Sequence, residues 1–389
     1  MKKQETNLLG EGIQIVKDVW RHRPGQEVPA AILDTIDALW PEGEKPRPLL
    51  THKKKTPAGW HMIFTLQPGI CYQDIKKKHN YFADATRAQV KIEKHDGYLH
   101  LNVVPGEMKS YYKYEWNPEP YMKEMDLPIP IGYGPSGELV VVDMAALPHI
   151  RVGGTTFTGK SNFLHNIFIS LAMLANVRLA VIDLALLEFS YTKDFAAFAG
   201  DSETALELLK ALEREMHRRR KVLDSAKVVK IQEYQKEDLP FIVLLVDEFA
   251  FLNPDGTPDK EEKEIRKQCQ AICSNLASLA RKVGIHLILA MQRPDMKILP
   301  GQLKANLPGA ISFKTINAVN SEIILDNGAA AELPDIQGRA IWQVGNTQQE
   351  VQVMHLPVKK ARKILKQINS GEERKVVWFE QQNERLLPR

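Results

Sequence analysis

The chain has 389 residues, of which 44% are hydrophobic and 26% are charged, and its formal net charge is +4 at pH 7. This composition excludes a disordered or fibrous chain, and the length suggests two or three domains. The mild basicity permits an anionic partner without requiring one. Only three cysteines are present, which argues against a disulfide scaffold and fits a reducing cytosol.

The sequence contains no run of about 18 apolar residues, so we predict no membrane span. The basic N-terminus is not followed by the apolar segment of a signal peptide. A soluble, cytoplasmic protein is expected, unless a partner brings it to a membrane.

The N-terminal part changes character near residue 60. Residues 1–60 are predicted to be a helical extension, as in PAAILDTIDALW, which ends in the Pro-rich PEGEKPRP. Residues 61–127 are predicted to form a small α+β domain and a polar linker, because HMIFTLQPG and AQVKIEKHDGYLHLNVV alternate as strands do. The Asp96-Gly97 pair between two such runs predicts a hairpin.

Residues 128–356 alternate between apolar strands and helical patterns. The strands are GELVVVDM, HIRVGG, RLAVIDL, PFIVLLVDEF and IHLILAMQ. Strands that are apolar throughout predict a mainly parallel sheet covered on both faces. Cys269 and Cys273 are four residues apart on a predicted helix, and we expect them to be buried rather than to bind metal. Residues 357–389 form a basic C-terminal tail.

The stretch RVGGTTFTGKSN joins the second of these strands to a helix and matches the pattern G-x-x-x-x-G-K-[ST]. In this setting backbone N–H groups and the helix N-terminus would cradle phosphates. Lys160 would reach the β- and γ-phosphates of ATP, and the Ser161 hydroxyl would hold Mg²⁺. The predicted fold is therefore a P-loop NTPase domain of the α/β class. The predicted nucleotide-binding residues are Gly154, Thr155, Thr156, Phe157, Thr158, Gly159, Lys160, Ser161 and Asn162.

Further candidates follow the later strands. Asp247 and Glu248 end PFIVLLVDEF, and we predict that Asp247 assists the Mg²⁺ ion and Glu248 orients the attacking water. Gln292 follows IHLILAMQ, where it would contact the γ-phosphate. Arg281 precedes that strand, at the far end of the sheet, which suits a neighbouring subunit's nucleotide and implies a ring. The alternatives are solvated surface groups in each case. Lys297 and Lys304 follow the Gln292 position, in a loop that could touch DNA phosphates.

Residues 128–356 resemble the motor of the FtsK/SpoIIIE family of double-stranded DNA translocases. The resemblance is carried by the P-loop, by VLLVDEFAFL and above all by LARKVGIHLILAMQRPDMKILPGQLKANLPGAISFKTINAVNSEIILDNGAAAEL. It implies a P-loop NTPase (RecA-like) motor domain preceded by the small α+β domain. It also implies a homo-hexameric ring with duplex DNA in its channel and ATP at the subunit interfaces. Arg281 matches the trans-acting arginine of the family. Arg293, Lys297 and Lys304 lie where the family's channel loop contacts the DNA backbone.

The chain departs from the family at several positions. Ala318 replaces a second trans-acting basic residue, and the family's DPK is DLA at Asp183 to Ala185. The residues after Leu356 are too few for a winged-helix module, and a membrane anchor is missing. These departures favour a compact relative of mobile-element or phage type. Phe157 and Thr158 stand where the family loop has Gly-Ser, and we predict that Phe157 packs on a neighbouring element or an adjacent subunit rather than on phosphate.

Three other functions remain open at this point. A secretion-type ATPase would move protein and would not need the basic loop. A conjugative coupling factor would move DNA–protein complexes with a membrane or DNA-processing partner. A DNA-binding ring that uses ATP only to assemble would not need Glu248.

Overall fold

The computed structural model describes residues 27–369 except 42, 44–45, 57–58, 87, 107, 136, 235–238 and 293–297. The chain divides into two compact units. One comprises residues 1–109 and 135–138, and the other comprises residues 110–134 and 139–389. Among the described residues, no helix is both long and apolar enough to cross a membrane.

The first unit is a four-stranded antiparallel sheet with helices on one face. The strand order is β1-β2-β4-β3, and the predicted hairpin turns at Asp96 and Gly97, both with positive φ. The helices are α1 (Glu27–Leu39), α2 (Tyr72–Lys76) and α3 (His79–Thr86). The strands are β1 (Pro48–Lys55), β2 (Trp60–Leu66), β3 (Ala88–His95) and β4 (Tyr98–Pro105).

The structure corrects the predicted boundary at residue 60. Ile32 and Ile36 of α1 are buried in the same core as Met62 and Phe64 of β2, so α1 is not a separate extension. Strand β1 was missed because its last residues are exposed lysines. Lysines are common on edge strands because they discourage pairing with another chain. Residues 1–26 and 370–389 of the predicted extension and tail lie outside the described residues.

The second unit confirms the predicted α/β fold. Its sheet has ten strands in the order β6-β5-β14-β13-β12-β7-β11-β10-β8-β9. The six strands from β12 to β9 are parallel to one another, and the strands from β6 to β13 pair antiparallel with each other and with β12. The strands are β5 (Pro128–Tyr133), β6 (Leu139–Asp143), β7 (His149–Gly153), β8 (Val177–Ile182), β9 (Ala197–Ala199), β10 (Phe241–Val246), β11 (Ile285–Met291), β12 (Gly309–Phe313), β13 (Arg339–Val344) and β14 (Thr347–Gln352).

Helices cover both faces of this sheet. They are α4 (Lys160–Ala172), α5 (Ser202–Ala226), α6 (Lys260–Leu279), α7 (Gly301–Ala305), α8 (Ala318–Leu325) and α9 (Val358–Asn369). Val243 of β10 belongs to the apolar cluster that includes α4 and α9, whereas Leu244 belongs to the cluster that includes α5 and α6. The strand is therefore apolar throughout because successive side chains are buried on opposite faces. Cys269 and Cys273 are buried in the second cluster, as expected.

Candidate nucleotide-binding site

The loop between β7 and α4 is shaped by glycines that other residues could not replace. Gly154 has φ of 152°, and a Cβ there would lie 2.6 Å from Cβ of Phe313. Gly159 has φ of 117°, and its Cβ would lie 2.9 Å from the backbone of Gly338. Gly159 is also the N-cap of α4 and carries no side chain to satisfy the first N–H groups of the helix. These N–H groups and the positive helix end make the loop suitable for an anion.

Lys160, the first residue of α4, is buried against the acids at the end of β10. Its Nζ donates a hydrogen bond of 2.9 Å to the carbonyl oxygen of Asp247. The same Nζ lies 3.4 Å from Oδ1 of Asp247 and 3.9 Å from Oε2 of Glu248. Burial raises the pKa of both carboxyl groups, and the Lys160 charge opposes that effect. The predicted P-loop lysine and both predicted acids are thus brought together.

Glu248 and Gln292 are also in contact, because β11 lies between β7 and β10 in the sheet. Oε2 of Glu248 accepts a hydrogen bond of 2.8 Å from the backbone N–H of Gln292. The Gln292 side chain reaches the P-loop, where its Oε1 lies 3.5 Å from Oγ1 of Thr156. Gln292 therefore touches both the loop and the proposed base.

Ser161 contacts a carboxylate that the sequence did not single out. Its Oγ donates a hydrogen bond of 3.1 Å to Oε1 of Glu188, and Nε2 of His165 lies 3.4 Å from the other oxygen. The His165 imidazole lowers the pKa of Glu188, against the opposing effect of burial. Oδ2 of Asp183 accepts the backbone N–H groups of Glu188 and Phe189. A signal was available, since Glu188 follows the strand RLAVID, whose end lies at the same sheet edge as the P-loop.

Residues 116–296 match the FtsK/SpoIIIE family. The chain contains an FtsK/SpoIIIE family domain. The chain is 33% identical over 267 residues to a DNA translocase FtsK of Campylobacter jejuni strain 81-176, a match that covers 64% of this chain and 27% of that protein. It is 34% identical over 223 residues to a DNA translocase FtsK of Borreliella burgdorferi, covering 53% and 27% of the two chains. The match thus spans about a quarter of each relative.

Two solved structures have a fold similar to that of most of this chain. The pCW3 conjugation coupling protein TcpA, solved with ATPγS, is similar with a TM-score of 0.64 and 23% identity over 88% of this chain and 99% of that chain. EssC (ATPases 2 and 3) from Geobacillus thermodenitrificans is similar with a TM-score of 0.57 and 17% identity, covering 68% and 52%. The fold is that of P-loop ATPases, which confirms the predicted fold class.

Three polar side chains of the P-loop in this FtsK/SpoIIIE domain are already bonded to backbone. Oγ1 of Thr155 donates to the carbonyl oxygen of Lys314, and Oγ1 of Thr158 donates to that of Thr155. The Asn162 amide bonds to the backbone of Met354 and Leu356. These side chains hold the shape of the loop. The backbone N–H groups of Thr155 and Thr158 also donate within the chain, to the carbonyl oxygens of Lys314 and Thr155.

Phe157 stands at the apex of the loop with 89% of its surface exposed. Its φ of 66° is left-handed, a conformation that costs a non-glycine residue about 1–2 kcal/mol. Phe157 therefore does not pack against a neighbouring element of its own chain, which was the first of the two predicted contacts. Packing against an adjacent subunit stays a prediction.

Arg281 lies in the FtsK/SpoIIIE domain at the opposite end of the parallel strands from the P-loop. It begins the single turn Arg281–Val283 before β11, and its exposed guanidinium donates a long hydrogen bond of 3.4 Å to the carbonyl oxygen of Ala146. Ala146 precedes β7, whereas the P-loop follows it. Arg281 is consequently not placed to reach the nucleotide of its own chain.

The predicted DNA-contacting residues are only partly described. Arg293 and Lys297 lie outside the described residues. Nζ of Lys304, on α7, lies 2.7 Å from Oδ1 of Asp326 and donates to the carbonyl oxygen of Glu322. Asp326 also pairs with the buried Arg151 of β7 at 3.1 Å. Lys304 is thus held within the chain and does not extend into solvent.

The residues around Ser161 fit a magnesium ion. The Ser161 hydroxyl and the Asp247 carboxylate offer oxygen atoms, which Mg²⁺ prefers. Oδ1 of Asp183 is buried, has no hydrogen-bond partner among the described residues, and acts electrostatically on Asp247. No group of three or more His, Cys, Asp or Glu in the described part of the chain could hold a metal. A Mg²⁺ ion commonly keeps waters and substrate phosphates as most of its ligands.

Proposed function

We propose that this protein is an ATPase that moves double-stranded DNA through the channel of a homo-hexameric ring. The observation that carries the proposal is the contact of Lys160 with Asp247 and Glu248 beneath a phosphate-binding loop, within an FtsK/SpoIIIE domain. The FtsK relatives are DNA translocases, and the match covers about a quarter of each of them. A cytoplasmic location is part of the same proposal.

ATP binding would redirect Lys160. Its ammonium group faces two buried acids, and the phosphates of ATP would draw it towards the loop. Glu248, fixed by the N–H of Gln292, would then orient the attacking water as general base. Gln292, in contact with Thr156, would respond to loss of the γ-phosphate. Mg²⁺, held by Ser161 and assisted by Asp247, would supply positive charge to the phosphates.

The ring and its DNA contacts rest on residues away from this pocket. Arg281, exposed at the far sheet edge, would complete the site of a neighbouring subunit. Arg293 and Lys297 would contact DNA phosphates, and Lys304 would join them once it leaves Asp326. Contacts with phosphates carry little sequence preference, and their strength falls steeply with salt concentration.

ATP turnover by the wild-type chain, with and without linear duplex DNA, tests the proposal. We expect duplex to stimulate turnover, and Lys160→Ala to abolish the stimulated rate without loss of folded protein. Displacement of a triplex-forming strand from the same duplex then tests movement. Turnover that does not respond to duplex would contradict the proposal.

The alternative is a conjugative coupling or secretion-type ATPase that moves DNA–protein complexes or protein. It is favoured by one observation, the likeness of fold to the conjugation coupling protein TcpA over 99% of that chain. A coupling ATPase would fractionate with membranes through a partner protein in its native cell. A protein pump would show turnover that is indifferent to duplex DNA.

A further inference from the structure

We propose that Glu188 is a positioning residue that orients the Ser161 hydroxyl towards the Mg²⁺ ion of bound Mg·ATP. The inference rests on the proposed function, because it concerns the same nucleotide site. Its starting point is the hydrogen bond of 3.1 Å from Oγ of Ser161 to Oε1 of Glu188.

A serine hydroxyl has one proton and two lone pairs. When the oxygen binds a cation, its lone pair faces the ion and its proton must point elsewhere. Glu188 accepts the hydrogen bond that the Ser161 hydroxyl donates, so the lone pairs of Oγ are left for the ion. An anionic acceptor also makes the oxygen more electron-rich. Such partners of metal ligands typically change metal affinity by about 10- to 100-fold.

Glu188 is itself held in place from both sides. Its second carboxylate oxygen lies 3.4 Å from Nε2 of His165, a side chain that is only 2% exposed. Nδ1 of His165 is in turn 3.0 Å from the Tyr191 hydroxyl. The backbone N–H of Glu188 donates 3.1 Å to Oδ2 of the buried Asp183. Each carboxylate oxygen of Glu188 therefore has a polar contact, and its backbone is anchored to Asp183, as a positioning role requires.

The contact between Glu188 and Ser161 would also be seen if Glu188 had the opposite role and weakened Mg²⁺ binding. If Glu188 competes with the ion for Ser161, its removal should strengthen Mg²⁺ binding. If Glu188 only supports the fold, its removal should weaken nucleotide binding with and without Mg²⁺. The three roles therefore differ in the sign and the Mg²⁺ dependence of the effect.

The experiment measures binding of a fluorescent, slowly hydrolysed ATP analogue to the full chain as Mg²⁺ is titrated, and again in EDTA. For Glu188→Ala we expect the half-saturating Mg²⁺ concentration to rise about tenfold, with binding in EDTA unchanged. Glu188→Gln keeps the size and an acceptor oxygen, and we expect a smaller rise in the same direction. Glu264→Ala, which removes an exposed carboxylate from α6, is the matched control.

A double-mutant cycle tests whether Glu188 acts through Ser161. In a Ser161→Ala background, Glu188→Ala should add little to the shift, because coupled residues are not additive. Additive effects, a fall or no change in half-saturating Mg²⁺, or equal losses in EDTA would overturn the inference. If Lys160→Ala binds nucleotide as well as the wild-type chain does, the proposed function itself fails. That result differs from a failure of the Glu188 inference alone, in which Lys160→Ala still weakens binding.

Discussion

Nζ of Lys160 lies 2.9 Å from the backbone carbonyl oxygen of Asp247. This contact places one buried cation beside two carboxyl groups whose pKa values are raised by burial. Lys160 therefore compensates the charge of the two acids. A phosphate bound by Lys160 would replace the acids as its partner, so we expect nucleotide binding to be coupled to the electrostatics of Asp247 and Glu248.

Glu248→Gln should separate ATP binding from hydrolysis. Glutamine keeps the size of the side chain and an oxygen for the N–H of Gln292, but it cannot accept a proton from water. We expect nucleotide binding to persist and the steady-state ATPase rate to fall by about 100-fold or more. Glu264→Gln is the control for loss of a surface charge. Normal hydrolysis by Glu248→Gln would favour a ring that uses ATP only to assemble.

Mixing two inactive variants should reveal whether Arg281 acts in trans. A site between an Arg281→Ala subunit and a Lys160→Ala subunit can contain both wild-type side chains. We therefore expect ATPase activity to recover partly in the mixture, measured against each variant alone. A mixture of Lys160→Ala and Glu248→Gln subunits should show no recovery, because each site needs both of these residues from the same chain. If ATPase activity recovers in neither mixture, the result would argue against a site shared between two subunits.

Phe157→Gly should relieve backbone strain and weaken assembly. Glycine adopts the left-handed φ of 66° without penalty, so the free energy of unfolding should rise by about 1 kcal/mol or less. If Phe157 is buried against an adjacent subunit, its loss removes about 2 kcal/mol of apolar burial per contact. Sedimentation with duplex and nucleotide measures the assembly. Phe157→Leu, which keeps an apolar side chain, should assemble better than Phe157→Gly.

Asp326→Asn should release Lys304 for DNA. The left-handed φ of 62° at Asp326 suits asparagine, and the substitution removes the carboxylate that holds Lys304 at 2.7 Å. We expect duplex affinity to rise and its salt dependence to steepen by about one phosphate contact. Fluorescence anisotropy at several salt concentrations measures both. Adding Lys304→Ala should reverse the gain, and no gain at all would mean that Lys304 only anchors α7.

Two buried histidines should make the larger unit less stable below neutral pH. Burial lowers the pKa of His149 to about 3 and that of His286 to about 4. The unfolded chain takes up protons below pH of about 6.5, while the folded chain does not, so stability falls as the pH drops from there towards 4. Each histidine contributes a slope of up to about 1.4 kcal/mol per pH unit.

Urea unfolding at several pH values measures this slope. His286→Asn keeps a donor for the carbonyl oxygen of Pro148, which Nδ1 of His286 contacts at 3.0 Å, but it does not titrate. Between pH 6 and 5, we expect the free energy of unfolding of this variant to depend less steeply on pH, by the contribution of about one proton. His217→Asn, at an exposed position on α5, is the control for replacing a histidine. An unaltered slope for His286→Asn would show that another group is responsible.

Local patterns predicted much of the larger unit because each element satisfies a local rule. Val243 and Leu244 belong to an apolar run that is typical of a strand covered on both faces. Gly159 and Lys160 belong to a spacing that is typical of phosphate-binding loops. The smaller unit was harder to delimit. Strand β1 ends in lysines and pairs with β2 through backbone bonds, so its side chains carry little strand signal.

The sequence by itself determined the phosphate loop, the acids after β10 and the α/β fold, because glycine spacing and apolar runs act over a few residues. Only the tertiary structure decided which side chains meet. It brought Glu188 to Ser161 from 27 residues away and Lys304 to Asp326 from another helix. It also left Phe157 exposed. Such contacts depend on where strand ends lie in the sheet, and the order of strands is set by packing across the whole chain rather than by neighbours in sequence.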